Sequence, residues 1–185
     1  MKPALIVIDM QEYFRDENPI PFKEKLLPNI KEVLTVVRSS GIPVVHVITR
    51  YSQDKSDWPQ AWQHLEQIWC LEGTEGVRIL EEAKPLEKEP VVTKTRFSGF
   101  YDSNLENVIQ GLDIDTLFIA GYSSDVCVRM TILDAYNRGY GLFLLTDCVH
   151  AAKGDTKDSI QYLRWLTNLE VVVMKGLRSR LEASR

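Results

Sequence analysis

The side chains best suited to chemistry in this 185-residue chain stand at the downstream ends of short apolar runs. Asp9 lies at the end of the run 4–10, Arg50 just past 43–48, and Lys94 just past 90–93. Cys127 follows the run 116–121 after a turn, and Asp147 ends the run 142–146. A thiol, a carboxylate and an ammonium are the parts needed for covalent attack on a carbonyl carbon: nucleophile, proton acceptor and supporting cation. Of the three cysteines, only Cys127 sits between a strand-like run and the start of a helical one. A helix N-terminus carries partial positive charge and free N–H groups, which favour a thiolate and supply donors for an oxyanion. Cys70 and Cys148 read as inert buried thiols, the usual state of a free cysteine.

The elements that must position these groups alternate in type. Residues 4–10 form a continuous, β-branched apolar run, the pattern of a strand covered on both faces. Over 26–40, Leu26, Ile30, Val33, Leu34 and Val37 recur at three- and four-residue spacings, an amphipathic helix ended by Gly41. Strands are expected at 43–48, 90–93, 116–121, 142–146 and 170–174. Helices are expected at about 77–82, 104–110 (capped by Asp102 or Ser103), 127–138 and 155–166. Residues 50–75 read as a long irregular loop with room for a short helix, and such loops are usually functional or disordered. The charged tail 177–185 is expected to fray. Alternation of this kind implies an α/β fold, a parallel sheet of about six strands with helices on both faces. In such sheets ligands bind at the carboxyl ends of the strands, where Asp9, Lys94 and Cys127 stand.

Composition bounds the function. With 44% hydrophobic and 26% charged residues the chain is an ordinary globular protein, and its length suits one domain spanning 1–185. A net charge of −4 argues against nucleic acid as a partner. No run of 18 apolar residues offers a membrane span, and Met1 leads directly into a strand with no signal-peptide pattern. Three scattered cysteines give no disulfide framework and no C-x-x-C pair. The expectation is a cytoplasmic enzyme acting on a small molecule.

The segment Gly121-Tyr-Ser-Ser-Asp-Val-Cys-Val128, continuing through Thr131, Asp134-Ala135 and Gly139-Tyr140, resembles the nucleophile segment of isochorismatase-like cysteine hydrolases. Ile8-Asp-Met-Gln11 resembles that family's first-strand motif, Lys94-Thr-Arg-Phe-Ser-Gly-Phe100 its lysine segment, and Glu72-Gly-Thr74 with Gly76 the turn before its third strand. The likeness runs in order from about residue 4 to 175 and is nearest to the N-carbamoylsarcosine amidase-related branch. It implies a three-layer α/β/α fold with a six-stranded parallel sheet of Rossmann-like order. By matching position it implies a triad of Asp9, Lys94 and Cys127, a cis bond between Tyr122 and Ser123, and an oxyanion site formed by the N–H groups of Ser123 and Cys127. The implied reaction is cleavage of a C–N bond in a small carbamoyl, ureido or carboxamide substrate through a thioester.

The resemblance also has departures. Nicotinamidases carry an Asp-x-His…His metal set after the second strand, where this chain has Arg50-Tyr-Ser-Gln-Asp54, and its only loop histidine is His64. No metal and no cofactor are therefore expected. Isochorismatases proper generally lack the cysteine, so vinyl-ether hydrolysis is the alternative reaction, and a non-catalytic small-ligand-binding relative is the alternative class. Phe14, Trp58, Trp62, Phe97, Phe100 and Tyr122 are candidates to line the pocket. Arg50 and Lys153 are candidates to hold a substrate carboxylate. His46 reads as core and Asp147 as a cap. The resemblance further implies a homo-oligomer, a dimer or tetramer, with residues 50–75 as the candidate to complete a neighbour's pocket.

Overall fold

A computed structural model describes residues 1–17, 20 and 22–183. Among them a six-stranded, all-parallel sheet forms the centre, in the order β3-β2-β1-β4-β5-β6. The strands are β1 (Pro3–Ile8), β2 (Val44–Thr49), β3 (Val91–Lys94), β4 (Thr116–Tyr122), β5 (Gly141–His150) and β6 (Glu170–Val172). The order reverses at β1, which lies between β2 and β4. That reversal opens a crevice at the carboxyl ends of β1 and β4.

Strand periodicity assigns alternate β1 residues to opposite layers. Leu5 and Val7 pack with α2 (Leu27–Ser39) and α6 (Met174–Ala183), whereas Ala4, Ile6 and Ile8 pack with α3 (Leu105–Gly111), α4 (Cys127–Asn137) and α5 (Thr156–Thr167). In α2, Leu27, Ile30, Val33, Leu34 and Val37 are all buried, as the apolar stripe requires. A short α1 (Glu12–Glu17) follows β1. No helix among the described residues is long and apolar enough to cross a membrane.

Several boundaries differ from expectation, each for a local reason. A π-helical turn, Phe22–Leu26, precedes α2 and brings Phe22 into the core. The helix expected at 77–82 is instead two 3-10 turns, Glu75–Val77 and Glu81–Ala83. The tail does not fray over its described length, because Leu177 and Leu181 of α6 are buried against α2. β5 runs four residues beyond its expected end, past a register irregularity opposite Ile119 to Gly121. Asp147 therefore lies within β5 rather than ending it, and its Oδ2 accepts the Met174 N–H at the start of α6 (2.9 Å). The cap of α3 is Asn104, with Ser103 Oγ accepting the Leu105 N–H at 3.2 Å.

Candidate active site

Three strand ends bring the polar floor together. Immediately after β1, Asp9 takes a left-handed conformation (φ 51°), and its N–H bonds Val47 O at 2.8 Å. The carboxylate thereby turns from the strand line into the crevice. Lys94 is the last residue of β3 and Thr49 the last of β2, and β2 and β3 pair these two positions directly. Lys94 Nζ lies 2.9 Å from Asp9 Oδ2, 2.6 Å from Thr49 Oγ1 and 3.4 Å from Cys127 Sγ. Thr49 Oγ1 donates in turn to Asp9 Oδ1 (3.0 Å). Asp9 and Lys94 are almost wholly shielded from solvent, at 0% and 1% exposure. Such charges persist away from water only because they face one another.

Cys127 is delivered by a tight elbow between β4 and α4. Gly121 has φ 119°, and a Cβ there would stand 2.1 Å from Ile8 O, so only glycine permits β4 to pass this close to the end of β1. The Tyr122–Ser123 peptide bond is cis. Ser123 O then accepts the N–H groups of Val126 (3.1 Å) and Val128 (3.0 Å), while Ser124 N–H bonds His150 O (2.9 Å). Asp125 accepts the N–H groups of Ala152 and Lys153, both at 2.8 Å, which ties the elbow to the chain following β5. Thr131 Oγ1 accepts the Gly99 N–H and donates to Cys127 O, and Ser98 Oγ donates to Asp134 Oδ2 at 2.5 Å. The residues that follow Cys127 thus hold the segment that follows Lys94.

Electrostatics alter one expectation. A helix N-terminus favours a thiolate, yet burial raises the Cys127 pKa and the facing Asp9 carboxylate raises it further, with Lys94 acting in the opposite sense. Burial works against the Lys94 ammonium, but the facing Asp9 carboxylate outweighs it and raises the Lys94 pKa. Burial raises Cys70 and Cys148 as well, with Asp9 adding to the effect at Cys70 and Asp147 at Cys148.

Above this floor lies a cavity of ≈ 700 Å³. Its walls include Phe14, Phe97, Tyr122 and Ser123, all anticipated from sequence, together with Trp62 and Lys153. Trp62 meets Trp69 at 4.3 Å between ring centroids and Phe97 at 5.7 Å, and Trp69 meets Tyr51 at 6.1 Å. Phe14 and Phe22 bracket Tyr122 at 5.4 and 4.9 Å. Arg96, also at the wall, donates to Asp57 O and Thr95 O (2.7 Å each), which pins the irregular 50–75 segment to the lysine segment.

Two anticipated binding residues stand elsewhere. Arg50 is half exposed, pairs with Glu72 at 3.7 Å and is absent from the cavity wall. The residue after Lys94's neighbour on β2 points outward, because side chains alternate along an extended chain and Thr49 faces the floor. Trp58 is buried in a small cluster with Tyr51 and Ile68, its indole N–H bonded to Ser52 O at 2.7 Å and Lys55 over its ring. It supports the wall from behind. Phe100 is likewise core, stacked on Tyr140, and His46 is buried beside Glu89 at 3.0 Å. Tyr13, Thr49, Tyr51 and Trp69 also line the cavity and are not among the residues singled out from sequence. For Thr49 the signal was present: it ends β2 level with Lys94. Trp69 had none, since its place depends on how an irregular loop folds back. A further hollow of ≈ 780 Å³ around Asn29, His150 and Lys157 contains none of the triad.

A nicotinamidase-type metal set does not fit these residues. After β2 the positions hold the Arg50–Glu72 pair, a buried Tyr51, and Asp54, whose carboxylate accepts from Ser56. His64 is exposed, and no group of three His, Cys, Asp or Glu side chains among the described residues is arranged to hold an ion.

Comparison with known proteins agrees with this architecture. The family model described as the isochorismatase domain matches residues 3–173. A protein of Arabidopsis thaliana described as a "probable inactive nicotinamidase" is 30% identical over 158 residues, covering 80% of this chain and 81% of the relative. A ureidoacrylate amidohydrolase of Agrobacterium fabrum is 25% identical over 171 residues, covering 80% of this chain and 75% of that one. The crystal structure of N-carbamoylsarcosine amidase from Thermoplasma acidophilum superposes with a TM-score of 0.79 at 30% identity, over 94% of this chain and 97% of that one.

Proposed function

The chain belongs to the isochorismatase family, a family of hydrolases with amidohydrolase members, and from that premise we propose that it is a cysteine-dependent hydrolase of small carbamoyl, ureido or carboxamide compounds. One observation carries the reading: Asp9, Lys94 and Cys127, far apart in sequence, share a buried floor beneath an aromatic-walled cavity. In the proposed reaction Asp9 accepts the Cys127 proton as sulfur attacks the carbonyl carbon. Lys94 stays charged and offsets the negative charge that passes between sulfur and carboxylate. The N–H groups of Ser123 and Cys127, at the elbow, receive the oxyanion; one such donor is typically worth about 10²–10³ in rate. Asp9 returns the proton to the leaving ammonia or amine, and water then hydrolyses the thioester. Phe14, Phe97, Tyr122, Trp62 and Trp69 supply apolar walls for a small, flat substrate, and Lys153 supplies a cation near the cavity.

The test is ammonia release from a panel of ureido, carbamoyl and carboxamide compounds, run beside mass spectrometry of the intact protein. Wild type is expected to form an acyl adduct that Cys127→Ala lacks along with activity. Undiminished ammonia release by Cys127→Ala would end the cysteine-dependent reading, and a vinyl ether hydrolysed by Cys127→Ala but not by Asp9→Asn would replace it with vinyl-ether hydrolysis. A homo-oligomer is part of the proposal, supported by Tyr162, Trp165 and Leu166 exposed together on α5. A single monomeric peak by size-exclusion chromatography at micromolar concentration removes it. A cytoplasmic location is proposed too, supported by three free thiols.

A further inference from the structure

The hydroxyl of Thr49 lies between the two charged members of the triad. It is 2.6 Å from Lys94 Nζ and 3.0 Å from Asp9 Oδ1, with Thr49 itself 2% exposed. An ammonium only donates, so Thr49 Oγ1 must accept from Lys94, and its single hydrogen is left for Asp9. The direction of both bonds is therefore fixed by the chemistry of the donors. Asp9 Oδ1 is thereby occupied as an acceptor. Asp9 Oδ2 lies 2.9 Å from Nζ but receives no well-directed hydrogen bond among the described residues, although it is buried.

The backbone of Thr49 is held by one side chain. Gln11, fully buried, accepts the Thr49 N–H on Oε1 (2.9 Å) and donates from Nε2 to Thr49 O (2.8 Å). The second Nε2 hydrogen goes to Val77 O at 2.9 Å. This leaves the amide a single orientation, since flipping it would set donor against donor. Gln11 also takes over where the β1–β2 ladder ends: beyond Ile8 the chain turns away at Asp9, and no β1 backbone group remains opposite Thr49.

We propose that Thr49, clamped by Gln11, is a positioning residue: its hydroxyl occupies Asp9 Oδ1 and so reserves Asp9 Oδ2 as the atom that takes the Cys127 proton. The proposal rests on the triad reading above. In the step the S–H bond breaks, the O–H bond forms at Oδ2, and the sulfur keeps the electron pair for attack. Without the hydroxyl either carboxylate oxygen accepts, and the carboxyl group is free to rotate away from sulfur.

The experiment follows alkylation of Cys127 by iodoacetamide across pH, quantified by peptide mass, in wild type, Asp9→Asn, Thr49→Val and Thr49→Ser. Denaturant midpoints are recorded for each. With Asp9 as proton acceptor, wild type reaches a plateau of reactivity at neutral pH, and Asp9→Asn loses that plateau and follows the ionisation of the thiol alone. If wild type and Asp9→Asn titrate alike as ordinary thiols, the triad reading itself falls and this inference with it. If that reading stands, Thr49→Val is expected to lower the plateau by about tenfold or more with its denaturant midpoint near wild type, and Thr49→Ser to stay within about threefold of wild type. A Thr49→Val plateau within about twofold of wild type, or a Thr49→Ser variant as impaired as Thr49→Val, overturns the positioning role alone. Should Thr49→Val not fold, Thr49→Ala is read against the same limits.

Discussion

The floor of the cavity and its aromatic wall are built on different principles. On the floor, charged and polar groups stand at the ends of paired strands, and each has a geometrically assigned partner: Lys94 to Asp9 and Thr49, Thr49 to Asp9, Gln11 to Thr49. The wall is made by ring packing, Trp62 on Trp69 and Phe97, with both tryptophans from a segment whose only helical turn between residues 50 and 74 is Gln60–Trp62. A buried ion pair tolerates little displacement, because losing one partner leaves a charge without solvent. Rings have no such requirement and keep most of their contact area through small shifts. Under the proposed function, chemistry would fall to the floor and substrate fit to the wall.

The contrast can be broken by substitution, with the largest effect at the sulfur. Cys127→Ala should lower kcat/KM by about 10⁴-fold or more while leaving the denaturant midpoint within about 1 kcal/mol of wild type. A large drop in stability there would mean that the floor is held by packing rather than by its polar pairs. Lys94→Met is next, and mainly for folding: it strands Asp9 in the core and should cost about 3–5 kcal/mol in urea unfolding. A stability near wild type would show water reaching Asp9. On the wall, Trp62→Ala should raise KM by about tenfold with kcat changed little, since uniform binding is lost rather than transition-state binding. If kcat falls as steeply as for a floor residue, the division of labour is wrong. The smallest effect is expected at Arg50, which is half exposed and faces away from the cavity. Arg50→Ala should leave kcat/KM unchanged and stability within about 0.5 kcal/mol. A tenfold rise in KM for anionic substrates alone would restore Arg50 to the site.

The same contrast explains how far the residues could be read in advance. Asp9, Lys94 and Cys127 were legible because each stands where a β-branched run stops, and a parallel sheet collects those stops on one edge. Phe97 and Tyr122 were legible as neighbours of Lys94 and Ser123 in the same segments. Trp58 and Arg50 were misassigned because residue type suits a pocket equally well whether the side chain faces it or not. Tyr51 and Trp69 went unseen for the converse reason, as only the fold of the irregular segment turns them inward. The expected fraying of the tail failed because its charges were weighed over Leu177 and Leu181, whose spacing of four residues puts them on one helical face.

By itself the sequence determined the alternation of strands and helices, the sheet edge on which chemistry collects, and the chemical types available there. These follow from local periodicity and from chain direction, both of which are written in consecutive residues. Tertiary contacts set the direction in which the Cys127 pKa moves, the direction of the Lys94–Thr49–Asp9 bonds, and which aromatic rings enclose the cavity. Those depend on how the irregular segment folds back, on distances of a few ångströms between floor groups 33 or more residues apart, and on the exclusion of water from between them. Both appear only once the chain has closed on itself.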